Sequence, residues 1–516
     1  MKVLQIGGSN WADSYPIYRE EVSWNYCPEK QVIAYVDKYI ADTLAKKGRL
    51  ETYDCILIMG ANLSLNALDK LAQIVDSYRV IYDSRLQVSE EVQAFLGFKS
   101  AWKLDCANPV DIIRQITFYF YPKQSGFRLI PVNASLSPNY LGAINYQGSN
   151  HLKLEVDYSD DYQPLLSWNY DVYLDPFRDI ECWLEFTKDI DCDLQLVLEE
   201  VGTAASYQGG KRYVISNEQL DTPLIIQGST QRSYLMATLY AKGKGKVDIG
   251  ALHLRWSRGP FGKFIVGGQR SSDEKREEFF HYFDPGNLKP PLCVYFSGYH
   301  SLESFEGYYM MRSFHHPFLL IADQRLEGGA FYIGSAEYEQ KLKDVITGAL
   351  QKLHFTNEQL ILSGMSMGTF GALYYGAQLN PHAIILNKPL VNLGNIAANL
   401  QKGRPFEFGT SLDLLLTNTK RNDQVGVEQL NKYFWTNFEK GNFDKTTFAI
   451  AYMENDDYDG QAFSELVQFL AQSKSKAKII SQGFLGRHND DFIENTKWFK
   501  SQFKRIISED FRRESE

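Results

Sequence analysis

The chain has no run of eighteen apolar residues, no Cys-x-x-Cys pair, no complete Gly-x-Gly-x-x-Gly loop and no surplus of positive charge. Each absence closes a class. Without a long apolar run no helix spans a bilayer. A formal charge of −9 has the wrong sign for binding a phosphate backbone, which sets nucleic acid aside as a partner. The six cysteines, Cys27, Cys55, Cys106, Cys182, Cys192 and Cys293, are scattered through apolar runs. That is how reduced, buried thiols are distributed, and no metal site is expected. The N-terminus opens directly into a strand pattern, without the charged, apolar and small-residue series of a signal peptide, so a soluble cytosolic protein is expected.

What is present reads as globular. Hydrophobic residues make up 44% and charged residues 23% of 516, enough chain for about three domains, with disorder expected only in short linkers and the tail Phe511–Glu516. Aromatics are plentiful, with 32 Tyr and 32 Phe, which suits sugar-facing surfaces and plain core packing alike.

The predicted class is α/β, in three parts. Residues 1–122 alternate apolar runs (Val3–Ile6, Cys55–Met59, Val80–Tyr82) with helical stretches (Lys30–Lys47, Leu65–Ser77), the pattern of a small Rossmann-like or flavodoxin-like domain. Its Gly7-Gly8-Ser9-Asn10 turn is either a phosphate or sugar cradle or a structural turn. Residues 123–265 change to strands separated by polar turns, among them Tyr234–Tyr240 and Val247–Trp256, and read as an antiparallel β-sandwich of jelly-roll type. Such modules often bind carbohydrate. Trp168, Tyr170, Trp183 and Trp256 are candidates to stack on sugar rings, or else core aromatics. Residues 266–287, polar and glycine-rich, read as a linker. Residues 288–510 then give a strand–helix alternation expected to form an α/β-hydrolase domain.

The chemistry concentrates there. Gly364-Met365-Ser366-Met367-Gly368 lies between the apolar run Leu360–Ser363 and a helical, small-residue stretch. In that setting Gly-x-Ser-x-Gly forms a nucleophile elbow, which makes Ser366 the candidate nucleophile; the alternative is a helix N-cap serine. A serine hydroxyl needs a base, and the base needs an orienting acid, in the chain order Ser, acid, His. His488, directly after the last predicted strand, alone among nine histidines has the right placement. The acid should follow the strand Thr447–Met453, where Glu454, Asp456, Asp457 and Asp459 compete. Met453-Glu454-Asn455-Asp456 fits the usual Gly-x-x-Asp loop with methionine in place of glycine, which selects Asp456 over the alternative Glu454. Two backbone amides are needed for a developing oxyanion. Met367 supplies one, and Ser297-Gly298-Tyr299, which resembles the His-Gly-x turn of esterases, assigns the other to Tyr299.

Taken whole, the chain resembles the family of second accessory Sec proteins of streptococci and related Gram-positive bacteria. The stretches that carry the likeness are Met1–Trp11, Asp323–Tyr332 and Gly364–Thr369. The resemblance implies two roles: helping an accessory SecA motor export a serine-rich repeat glycoprotein adhesin, and O-acetylating N-acetylglucosamine on that adhesin. It implies partnership with two other accessory Sec proteins and a cytoplasmic location with peripheral membrane association. It maps a catalytic serine and histidine onto Ser366 and His488. The family's acid is a glutamate, which leaves Asp456 and Glu454 both open. No tightly bound cofactor is expected, but an acetyl donor of unidentified kind is required. Two competing readings stand beside this one: a carbohydrate or acyl esterase with the same triad, and a non-catalytic export scaffold that keeps the fold for its shape.

Overall fold

The computed structural model describes residues 1–17, 22–170, 172–202, 210–228, 232–300, 302–326, 329–398, 411–473, 475–490 and 493–512. Residues 513–516 of the tail and 327–328 of a family-like stretch therefore lie outside the described residues. The architecture is mixed α/β. The chain divides into two compact units, one of Met1–Gln124, Phe177–Asp179 and Trp256–Gly268, the other of Ser125–Pro176, Ile180–Arg255 and Gln269–Glu516.

The first unit holds a five-stranded parallel sheet in the order Ser23–Cys27, Lys2–Ile6, Cys55–Ile58, Val80–Asp83, Trp102–Leu104. Successive strand side chains point to opposite faces. Leu4, Ile6, Ile56 and Ile58 therefore enter one core, with Val36, Leu68 and Leu71, while Val3, Cys55, Leu57 and Ile81 enter another with Ile112 and Ile116. Both faces of the sheet are covered, which is why its strands read as unbroken apolar runs. Arg258 is fully buried in this unit. Its guanidinium donates to the carbonyls of Phe264 (2.8 Å), Tyr119 (3.0 Å) and Tyr121 (2.5 Å), and burial pulls its pKa down to about 9.

The second unit contains an eleven-stranded antiparallel network and an eight-stranded sheet. In the network, the expected pair Tyr234–Tyr240 and Val247–Trp256 is one strand, Ser233–Trp256. Its first half pairs with Cys192–Gly202 and its second with His151–Asp157 and Gly126–Leu129. The polar Lys242–Lys246 looked like a turn. Instead Gly243 takes φ +80°, and its amide and carbonyl bond Ser159 and Tyr158, so the strand bends and changes partners without ending.

The eight strands run in the order Gln269–Ser272, Glu278–Asp284, Phe318–Asp323, Leu292–Phe296, Leu360–Met365, Ala383–Asn387, Thr447–Met453, Lys478–Phe484. The last six are parallel, and the first two are antiparallel additions at the edge. Those two replace the expected linker 266–287. Their charges misled, because Arg270 and Glu278 pair with each other at 2.5 Å and Glu278 is fully buried. The strand–helix alternation expected over 288–510 is present from Leu292 onward, with the strands Leu360–Met365 and Thr447–Met453 where the sequence places them and a helix over Ala336–Leu353. No helix among the described residues is long and apolar enough to cross a membrane.

Candidate active site

The strand Leu360–Met365 is buried throughout and hands the chain to the helix Met367–Leu379 through one residue, Ser366, at φ 50°, ψ −120°. A non-glycine residue there carries strain of about 1–3 kcal/mol, held by its surroundings. The Ser366 amide donates to Asn387 O (2.8 Å), and the Ser366 carbonyl accepts from the Thr369 amide and hydroxyl (2.9 and 2.6 Å). Both flanking glycines are required by contact. A Cβ on Gly364 would lie 2.2 Å from the Gly368 carbonyl, and one on Gly368 would lie 2.0 Å from Phe296 O. The helix N-cap alternative does not hold, since the Ser366 side chain caps nothing.

Its Oγ instead lies 2.8 Å from His488 Nε2, and His488 Nδ1 lies 2.7 Å from Asp456 Oδ2. The order of protons follows from chemistry. An ionised carboxylate only accepts, so Nδ1 carries the hydrogen, and in the neutral ring Nε2 is left as the acceptor for the serine hydroxyl. Burial opposes ionisation of Asp456. The hydrogen bond and charge of His488, with the Asp459 and Tyr458 amides, more than offset it and hold the carboxyl below its ordinary value. The His488 ring is 2% exposed and packs against Tyr458, with ring centroids 4.3 Å apart.

The four neighbouring carboxylates divide the work. Asp456 alone meets Nδ1. Asp457 accepts from the His488 backbone amide (3.1 Å), and Asp459 accepts from the Val391 and Asn392 amides (2.8 and 2.7 Å). Glu454, the alternative acid, is exposed and makes no hydrogen bond to His488. The amide of Met367 opens a helix and has no partner within it. Tyr299 stands three residues beyond the strand Leu292–Phe296 with its side chain exposed, and the adjoining Gly298 amide is taken by Glu306 Oε2 (2.6 Å).

The family model for accessory Sec system GspB-transporters matches residues 1–513. The chain belongs to that family. An accessory Sec system protein of Staphylococcus aureus (strain NCTC 8325 / PS 47) is 39% identical over 99% of this chain and 97% of its own length, and one of Streptococcus gordonii is 35% identical over 99% of both. Among solved structures, a chain of the Glycosylation Associate Protein (Gap123) complex from Streptococcus agalactiae is 39% identical and superposes with a TM-score of 0.88. That match covers 100% of this chain and 99% of the other.

Most of the other candidates in this chain make structural contacts. At the Gly7–Asn10 turn, Gln5 Nε2 donates to the Gly7 and Ser9 carbonyls, and the Glu29 carboxylate holds the Asn62 amide nearby (2.8 Å); a phosphate would meet that negative charge. Trp168 and Trp183 are each 4% exposed, and Trp183 lies between the guanidinium groups of Arg270 and Arg276. Trp256 packs edge-on against Tyr121, while Tyr170 is exposed. Sequence reasoning missed Asn387, Tyr458 and Asp457 as supports of the Ser366–His488 pair. Only the acidic run after Thr447–Met453 hinted at the last.

Proposed function

We propose that this accessory Sec component is a serine-dependent carbohydrate O-acetyltransferase with a C-terminal domain of α/β-hydrolase type, acting on N-acetylglucosamine of a serine-rich repeat glycoprotein and supporting that protein's export. The observation that carries the reading is the continuous Ser366–His488–Asp456 hydrogen-bond chain on a strained elbow. In the first step His488 Nε2 takes the proton as Ser366 Oγ attacks the acetyl carbonyl of a donor. The Met367 and Tyr299 amides donate hydrogen bonds to the oxyanion, His488 returns the proton to the leaving group, and acetyl-Ser366 remains. In the second step His488 takes a proton from a sugar hydroxyl, which attacks the acetyl carbonyl, and returns that proton to Ser366 Oγ as the ester bond breaks and the serine is released. Asp456 keeps the imidazole in the tautomer that both steps need.

The full-length similarity to a chain of a solved Gap123 complex supports assembly with two other accessory Sec proteins. Work alongside an accessory SecA motor, peripherally at the cytoplasmic membrane, is part of the same proposal. The test is mass spectrometry of the glycoprotein from cells carrying Ser366→Ala. Acetylation should vanish, and a fluorophosphonate should label the parent protein at Ser366 but not the variant. Unchanged acetylation sinks the proposal. Donor hydrolysis with no transfer to sugar would make the protein an esterase.

A further inference from the structure

The chain near Tyr299 is held on either side, at residues 297–298 and 303–306. At its base Gly298 N donates to Glu306 Oε2 (2.6 Å) and Glu306 N to Ser297 Oγ (3.2 Å). Towards its far end Glu303, fully buried, is gripped by the antiparallel network. Arg255 Nε lies 2.5 Å from Oε2, while His253 Nδ1 and Arg128 Nε lie 2.6 and 3.4 Å from Oε1. The Glu303 amide also donates to Gly126 O (2.8 Å). Gln324 ties the next residue, donating to Ser304 O (2.8 Å), and its own carbonyl accepts from Arg128 Nη1 (3.0 Å). The three cations stand on two paired strands, Gly126–Leu129 and Ser233–Trp256.

Three cationic side chains converging on one buried carboxylate are an inefficient source of stability, because desolvation offsets most of the attraction and apolar groups of the same volume do as well. What ion pairs supply and apolar contacts do not is direction. We infer that the two strands are positioning elements for the acyl-transfer site: Arg255, His253 and Arg128, acting through Glu303, hold the loop that presents the Tyr299 amide. This rests on the acyl-transfer reading above.

His253 makes the arrangement pH-sensitive. It lies between Glu303 and Glu185, with Arg255, Arg128 and Glu278 around them. Burial opposes its protonation, but the carboxylates outweigh both burial and Arg255 and raise its pKa to about 9. Above that value Glu303 loses a charged donor.

The experiment compares full-length Glu303→Gln and His253→Gln with the parent. Fluorophosphonate labelling of Ser366 and kcat and KM on a small acetyl ester are measured against pH, with thermal melts alongside. Glu303→Gln should label about tenfold to a hundredfold more slowly, with kcat falling and KM little changed, because a misplaced oxyanion donor is felt in the transition state rather than in binding. The parent's kcat should fall as pH rises through about 9, and that fall should be missing from His253→Gln. Unchanged kcat per folded molecule in Glu303→Gln overturns the inference. If that variant does not fold, the same alkaline fall in His253→Gln as in the parent overturns it. A parent that is not labelled at Ser366 refutes the acyl-transfer reading first, and this inference with it.

Discussion

The eight-stranded sheet meets its helices and the antiparallel network in two different ways. Towards the helices the contact is apolar and dry: Leu362, Ile384, Phe370, Leu373 and Ile346 are all 0% exposed. Towards the network it is a buried lattice of charge, in which His253, Arg255, Glu278 and Glu303 are at most 3% exposed and Arg270 and Glu185 extend the chain of pairs. Dispersion and burial have no preferred direction, so the apolar side gains uniqueness from shape alone. The charged side gains it from donor and acceptor geometry. The elbow of Ser366 grows out of the first kind of contact, and the loop carrying Tyr299 is anchored in the second.

The largest expected effect tests the chemistry that both sides support. Asp456→Asn should lower turnover by about 10⁴-fold, since an amide leaves His488 in the wrong tautomer, while the melting temperature changes little. A small effect would break the link between the buried relay and catalysis.

Next comes the comparison itself. Gly368→Ala forces a Cβ to 2.0 Å from Phe296 O and should cost about 3 kcal/mol or more. Arg255→Met, which leaves Glu278 and Glu303 without their shared cation, should cost about 3–5 kcal/mol. The two sides then part company. Replacing Arg255 together with Glu278 and Glu303 by apolar residues of similar size should restore most of the loss, because the charges leave together. No second substitution should rescue Gly368→Ala so well. Chemical denaturation measures both, and equal rescue would erase the distinction.

A smaller effect follows pH. The pKa of His253 is raised, from 6.5 to about 9, so its stabilisation is fully present below its unfolded value and is lost as pH rises through about 9. The loss should amount to roughly 3 kcal/mol, seen in melts of the parent and absent from His253→Gln. Asp456 runs the other way. Its depressed carboxyl stabilises above the unfolded value near 4 and loses that contribution as pH falls. The smallest effect is that of Glu454→Gln, which should change stability by less than about 0.5 kcal/mol and leave turnover near normal. A severe loss there would return the acid to Glu454.

How much was legible differs with the kind of pattern. The elbow was, because a buried strand, two obligatory glycines and a small-residue helix are adjacent in the chain. His488 was placed by its position after the final strand. The acid was harder: the loop pattern after Thr447–Met453 favoured Asp456 with Glu454 as the alternative, but the separate tasks of the other carboxylates emerge only when the loop directs Asp456 to Nδ1, Asp457 to the His488 amide and Asp459 to the Asn392 side. Residues 266–287 and Lys242–Lys246 were misread for one reason. Charge and glycine in a sequence signify solvent and turns unless a partner neutralises them: Arg270 meets Glu278 only once their two strands pair, and Glu278 and Gly243 are also held by Arg255 and by Tyr158 and Ser159, outside those segments.

By itself, then, the sequence determined what local periodicity and covalent sterics control: the parallel α/β pattern at both ends of the chain, the strained turn at Ser366, and the order of serine, acid and histidine. The tertiary structure alone decided what depends on partners distant in the chain: the separate tasks of Asp457 and Asp459 beside Asp456, and how a strand 50 residues before Glu303 comes to neutralise it. Hydrogen bonds and ion pairs act over a few ångströms in space. Only the folded chain brings those atoms within that range.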